Sequence, residues 1–319
     1  MARGTGARPW LTGRTFVVAV AACLASFTGT ASAATGGAPT PAGGPPPPPS
    51  GGGAPDAAPS AGSTLTLLSA KTTPRKSFYY GVRYPRLTYT IGSDQAQNDL
   101  RIDVIDEAGE TVKSFFRNDV PPNVADTVRW DGTRSDRRPA ANGHYSFRIA
   151  PQSGGPAARR ARSATSSSGE PFALSFDLYG YAFPVLGAHD FGSSGARFGA
   201  GRAGHTHQGQ DVMAKCGVPL VAARGGRVQY SGYQSAAGNY VVIDGKGTTY
   251  DMGYMHLLEP SPLQEGTTVR TGQPIGLVGE TGNAAGCHLH FEIWAAPGWY
   301  EGGSPVDPLP YLQRWDAYS

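Results

Sequence analysis

Five of the seven histidines lie between His205 and His290, and their spacing is the first feature of this chain that could support chemistry. His207 and Asp211 stand four residues apart, His288 and His290 flank Leu289, and His256 falls between the two groups. On a β-strand, side chains alternate, so His288, His290, Glu292 and Trp294 would share one face and Leu289, Phe291 and Ile293 the other. Two imidazoles projecting side by side need a ligand or a partner, because buried polar groups without one are costly. A catalytic zinc takes three nitrogen or oxygen ligands and keeps a fourth position open for water. His207, Asp211 and one histidine of the HxH pair supply that set. Bound zinc lowers the pKa of its water from 15.7 to roughly 7 and polarises a carbonyl. The other HxH histidine and His256 are then left for proton transfer and for the charge that develops on the carbonyl oxygen. Were His205 a fourth ligand, the site would be closed, so it is expected at the surface or on the substrate rim. His144 and His189 are read as surface residues.

These side chains need a sheet to hold them. After about Gly180, strand-like runs occupy Leu220 to Ala222, Arg227 to Tyr233, Tyr240 to Ile243, Thr249 to Met255, Ile275 to Val278 and His288 to Trp294, with a hairpin signal at Asp244 and Gly245. No stretch longer than a turn or two has helical period. Earlier in the chain, short alternating runs at Leu65 to Leu68, Arg86 to Ile91, Leu100 to Ile105, Thr111 to Phe115, Thr127 to Trp130 and His144 to Ile149 predict an antiparallel sandwich. Phe172, Leu174, Phe176 and Leu178 would close it, leaving 151–169 as a low-complexity loop. Arg159, Arg160 and Arg162 in that loop read as a solvated run or a processing site. The expected fold is all-β: an N-terminal immunoglobulin-like sandwich over 64–179 and an antiparallel β-sheet domain over 180–319. The segment from Arg101 to Ile149, with its Trp130, Asp131 and Gly132, resembles the immunoglobulin-like module of flagellar-hook-capping proteins. That resemblance implies a spacer or binding role with no chemistry attached.

The second domain carries the more specific likeness. His207, Gly209 and Asp211, then Tyr254 and His256, then His288, Leu289, His290 and Phe291 resemble the lysostaphin-type (M23 family) zinc metallopeptidases, as do the flanks Gly217 to Tyr233 and Gly266 to Gly286. The likeness runs from about Phe183 to Ala296. It implies a lysostaphin-like β-sheet peptidase with His207, Asp211 and His290 as Zn2+ ligands and His288 and His256 as catalytic histidines. All five are present, unlike in the catalytically dead relatives that activate other wall hydrolases. The implied substrate is the peptide part of peptidoglycan, its stem or crosslink peptides. Cys287 departs from the family pattern, in which proline commonly precedes the HxH pair. Its mature partner is Cys216, so a disulfide is expected, with two buried free thiols as the alternative. Period two places Cys287 opposite His288 and His290, away from the metal. Glu292 continues the histidine face and would orient His290 or make a plain structural hydrogen bond.

Composition fixes the setting. The chain has 319 residues with 45 glycines and 27 prolines, and only 16% are charged, well below the usual ~25%. Residues 1–33 read as a signal peptide: Arg3, Arg8 and Arg14, an apolar run from Phe16 to Leu24, then Ala31, Ser32 and Ala33 before the cut. A lipoprotein anchored through Cys23 is the rival reading. Residues 34–63 are a Pro/Gly-rich linker with five consecutive prolines from Pro45 to Pro49. A secreted or wall-associated monomer follows, with no membrane span. Once the leader is removed, basic and acidic side chains balance, which disfavours nucleic acid as a partner. The stretch from Gly266 to Asn283 is similar to the hairpin of biotinyl and lipoyl carriers, but its tip, Glu280 to Asn283, lacks their lysine. The remaining alternative is a wall-associated scaffold or activator with a structural metal.

Overall fold

The structure is a computed structural model, and it describes residues 65–152 and 172–319. The leader, the linker, Cys23 and the basic run at 159–162 lie outside the described residues. The described residues fall together as one compact unit.

The first half contains β1 (Leu65–Thr73), β2 (Lys76–Phe78), β3 (Arg86–Ser93), β4 (Asn98–Asp106), β5 (Thr111–Val120), β6 (Ala125–Arg129), β7 (Gly143–Pro151) and β8 (Ser175–Tyr179). They make two facing sheets, β1-β3-β6 and β2-β8-β7-β4-β5. Alternation along β3 buries Leu87, Tyr89 and Ile91, and along β4 it buries Leu100, Ile102 and Val104. Trp130 lies at the centre, 5.1 Å from the Tyr145 ring and 5.7 Å from that of Phe176. Its indole N–H donates to the Thr133 carbonyl. The strand expected to close the sandwich is β8, antiparallel to β7 and parallel to β2. Three-residue β2 is too short to leave a period in the sequence.

The second half contains β9 (His189–Asp190), β10 (Gly201–Arg202), β11 (His205–Thr206), β12 (Gln210–Ala214), β13 (Pro219–Val221), β14 (Gly226–Gln234), β15 (Gly238–Gly245), β16 (Tyr250–Leu257), β17 (Thr268–Val269), β18 (Pro274–Leu277), β19 (His288–Ala295) and β20 (Pro305–Val306). A short helix, α1 (Leu309–Asp316), follows. The main sheet runs β17-β14-β15-β16-β19-β12-β9, with β20 on β19. One face buries Val212, Val241, Ile243, Tyr254, Leu289, Phe291 and Ile293 against Leu312 and Trp315 of α1. The hairpin signal at Asp244 and Gly245 needs correction: both residues belong to β15, and the turn falls at 246–249, where Gly247 takes φ +69°. His189 is likewise not a surface residue, since its ring lies 4.4 Å from that of Phe183 and its side chain is only 15% exposed.

The halves meet around Arg224, a buried cation with no acidic partner among the described residues. Its guanidinium donates to the carbonyls of Gly180 and Lys246 and lies over the rings of Tyr79 and Tyr181. Thr271 bridges in backbone fashion to Gly81, and its hydroxyl donates to the Tyr79 carbonyl. Tyr179 stacks on Tyr318 at 3.9 Å. These contacts lie at the 246–249 end of β16, seven residues from His256, which at the rise of a strand is roughly 23 Å.

Candidate metal centre

The register of two antiparallel strands builds the centre. Asp211 of β12 is directly opposite His290 of β19, and Met213 is opposite His288. Cross-strand partners project to the same face, so the Asp211 carboxylate meets the His290 ring. Leu289 and Phe291, one residue out of phase, go to the apolar core. His207 reaches in from the loop before β12, with Gly209 between. A Cβ on Gly209 would lie 2.8 Å from the His290 ring, so only glycine lets the loop pass so close.

His207 Nε2, His290 Nδ1 and Asp211 Oδ1 converge at 2.8 to 3.1 Å from one another. The other ring nitrogens are committed as donors. His207 Nδ1 donates to the Arg197 carbonyl at 2.8 Å, and His290 Nε2 donates to Glu292 Oε1 at 3.1 Å. In their neutral forms both rings therefore turn a lone pair toward an anionic oxygen. With both rings neutral, three acceptors face one another, so the cluster closes only on a cation, either a proton carried by His290 or a metal ion, and the donor set fits zinc. Without a metal ion, a proton on His290 balances the charge of Asp211. Burial alone would lower the pKa of His290, but hydrogen bonds to Asp211 and Glu292 carry it up to about 9. Burial would raise that of Asp211, yet His207 and His290 hold its carboxyl far below the usual carboxylate range.

Glu292 is itself fixed by two indoles: Trp294 and Trp299 each donate Nε1–H to its Oε2, at 2.7 and 2.8 Å. It is thus an orienting residue for His290, one of the two readings open from the sequence.

His288 Nε2 lies 3.6 Å from Asp211 Oδ1, and the His256 ring is 4.7 Å from that of His288. Both rings donate Nδ1–H to backbone carbonyls, His288 to Gly286 and His256 to Thr281, which leaves Nε2 of each as a proton acceptor. Burial and the neighbouring His288 lower the pKa of His256 to about 4, so it is neutral at pH 7.

His256 arrives by a route that periodicity does not give. Period two would send it to the same face as Tyr254, which packs in the core with its hydroxyl accepting from Ala223 N–H. Instead β16 carries one residue more than β15 between the pairs Tyr254↔Val241 and Leu257↔Asn239. His256 takes φ +62° within this bulge, and its N–H donates to the Ala237 carbonyl. The bulge re-aims the ring to the metal-facing side, a common use of bulges beside functional sites.

The five expected site residues are therefore together, and His205 is exposed outside them with its Nδ1 3.2 Å from the Ala203 carbonyl. Cys216 and Cys287 form a disulfide. It joins the segment after β12 to the residue before His288, on the side away from the ligands. Sequence reasoning missed the carbonyls of Arg197, Thr281 and Gly286, which leave no residue-type signal, and also missed Arg202. Arg202 Nη2 lies 3.8 Å from Asp211 Oδ2.

Two imidazoles and a carboxylate around a cation-fitting space, with two further imidazoles beside it, are suited to metal-assisted hydrolysis. Comparison with known proteins narrows the class: residues 205–308 match the model of Peptidase family M23, and the chain carries a domain of that family. The peptidoglycan DD-endopeptidase ShyC of Vibrio cholerae is 42% identical over 87 residues, 27% of this chain and 20% of that protein. The lipoprotein NlpD/LppB homolog of Pseudomonas aeruginosa is 36% identical over 137 residues, 42% of each chain. Lysostaphin of Staphylococcus staphylolyticus is 29% identical over 111 residues, 34% of this chain and 22% of that one. The chain thus spans less than half the length of these curated relatives. Among solved structures, lysostaphin from Staphylococcus simulans matches with a TM-score of 0.38 at 25% identity, covering 44% of this chain and 56% of that one.

Proposed function

We propose that this chain is a zinc-dependent endopeptidase that hydrolyses peptide crosslinks of bacterial peptidoglycan outside the cytosol. The observation that carries the reading is the convergence of three ligand atoms, from His207, Asp211 and His290, within 3.1 Å of one another, with the far nitrogen of each ring already committed to another partner. Those residues would hold the ion, which when bound supplies a Lewis acid and ionises water at neutral pH. His288, its Nδ1–H held by Gly286, presents Nε2 to take a proton from the attacking water and hand it to the departing amine. His256, neutral and anchored on Thr281, is the second proton-transfer group and, once protonated, a donor to the developing oxyanion. Glu292 and the Arg197 carbonyl keep the two ligand rings in the tautomers the ion requires. The described part of the sandwich contacts the far end of the sheet from the histidines, which supports a spacer or wall-binding role for it. Export follows from the leader-like residues 1–33.

The test is digestion of purified peptidoglycans of several crosslink chemistries by the full chain, with fragments identified by mass and zinc content measured alongside. Cleavage of a peptide bond that stops with chelator and returns with zinc is expected. Bound zinc without any new fragment would favour the scaffold reading.

A further inference from the structure

The loop that holds His207 also places a second cation at the metal centre. Arg202, on the β10–β11 ribbon, lies 3.8 Å from Asp211 Oδ2 with its side chain 33% exposed. Its hydrogen bonds go to backbone: Nη2 to the Gly195 carbonyl at 2.8 Å and Nη1 to the Gly201 carbonyl at 3.4 Å. Among the described residues, Asp211 is the one carboxylate within ion-pair distance of it. That carboxylate is the anionic ligand of the proposed ion. A divalent cation there offsets the charge of Asp211, and the guanidinium above it is left without a net counter-charge.

We infer that Arg202 is a substrate-specificity residue: it binds an ionised carboxylate on the residue flanking the scissile amide. This inference rests on the peptidase reading. The charge count of the centre supports it. A divalent ion, Asp211 and two neutral imidazoles sum to one positive charge; Glu292 lies behind His290, and Arg202 restores the excess at the mouth. An anionic group held there sits next to the reacting carbonyl, and guanidinium is the side chain best matched to a carboxylate, through paired N–H donors. The substrate class is thus a crosslink whose amide joins a residue bearing a free carboxyl, in contrast to crosslinks made only of uncharged glycine links.

The experiment uses the full chain with two synthetic crosslink peptides that differ only in whether the flanking carboxyl is free or is a carboxamide. The wild type is expected to prefer the free acid in kcat/KM. In Arg202→Ala that preference should fall by about 10- to 100-fold, the worth of a charge-assisted hydrogen bond, chiefly through KM, and Arg202→Lys should recover part of it. Zinc content, measured on each variant, should be unchanged. An equal loss on both substrates, or loss of zinc, would reduce Arg202 to a structural partner of Asp211 and overturn the inference. Calorimetric binding of the free-acid and amide product peptides to both proteins gives a readout independent of turnover. If the wild type hydrolyses neither substrate, the peptidase reading fails by itself. Arg202 is then judged by whether the acid binds more tightly than the amide in the wild type and not in Arg202→Ala; equal binding refutes it.

Discussion

Two carboxylates, Asp103 buried in the sandwich and Asp211 half-buried in the main sheet, are surrounded in opposite ways. Asp103 in the sandwich is met only by donors: Arg148 at 2.8 Å, Arg101 at 3.2 Å and the Ser114 hydroxyl at 2.7 Å. Asp211 in the main sheet is met by ring nitrogens of His207 and His290 whose other nitrogens already donate to the Arg197 carbonyl and Glu292. The first site satisfies itself, as a structural ion pair must if the desolvation of its charges is to be offset. The second closes only when one ring takes up a proton, as His290 does, or when a metal ion takes that proton's place. A polar cluster that closes only on a cation is where a missing ligand belongs, and the contrast separates structural from chemical burial without reference to family.

The largest test of this contrast removes a ligand. His290→Ala should lose both zinc and activity, whereas His288→Ala should keep zinc and lose turnover by about 10²- to 10⁴-fold, the usual range for a positioned acid or base. Metal content and wall-lysis rate, with circular dichroism to confirm folding, read both; zinc lost from the His288 variant and kept by the His290 variant would invert the assignment. Asp103→Ala sharpens the other side. It removes the acceptor of Arg148, Arg101 and Ser114, and because both arginines stay partly solvated it should cost ~1–3 kcal/mol by urea unfolding without changing the zinc bound by the folded fraction. Replacing Cys216 and Cys287 together by Ser opens a loop with a sequence separation of 71, for which chain entropy predicts a loss of up to about 4 kcal/mol. The smallest effect concerns His256: His256→Gly should be about 1 kcal/mol more stable than His256→Ala, since glycine adopts positive φ without a Cβ penalty. Equal stability of the two would mean that the bulge stores no strain.

Much of this was legible because strand period is simple. The alternation in β19 alone separates Leu289, Phe291 and Ile293 from His288, His290 and Glu292, and the structure buries the first three in the core. The pairing of β12 with β19 was not legible, because register is a long-range property and Asp211↔His290 spans 79 residues. His256 is the clearest limit. Its neighbours Tyr254 and Leu257 both enter the core, a spacing of three that alternation cannot produce, so its role was open to a count of the histidines and to the family resemblance but its placement by a bulge was not. The 246–249 turn was displaced for a related reason: Asp244 and Gly245 have turn chemistry, but pairing to Asp251 and beyond extends β15 through them.

The contact around Arg224 bears on how the molecule can be divided. Cut between Tyr179 and Gly180, the C-terminal piece would retain a guanidinium set for stacking while losing Tyr79 from one side of it. Thr271 would lose the backbone partners it finds at Tyr80 and Val82, and Tyr318 the ring of Tyr179. Unpaired edge groups beside exposed aromatic surface invite self-association. The sandwich therefore acts toward its neighbour as a built-in solubility partner, and truncation at that point is expected to produce aggregation rather than a clean minimal enzyme.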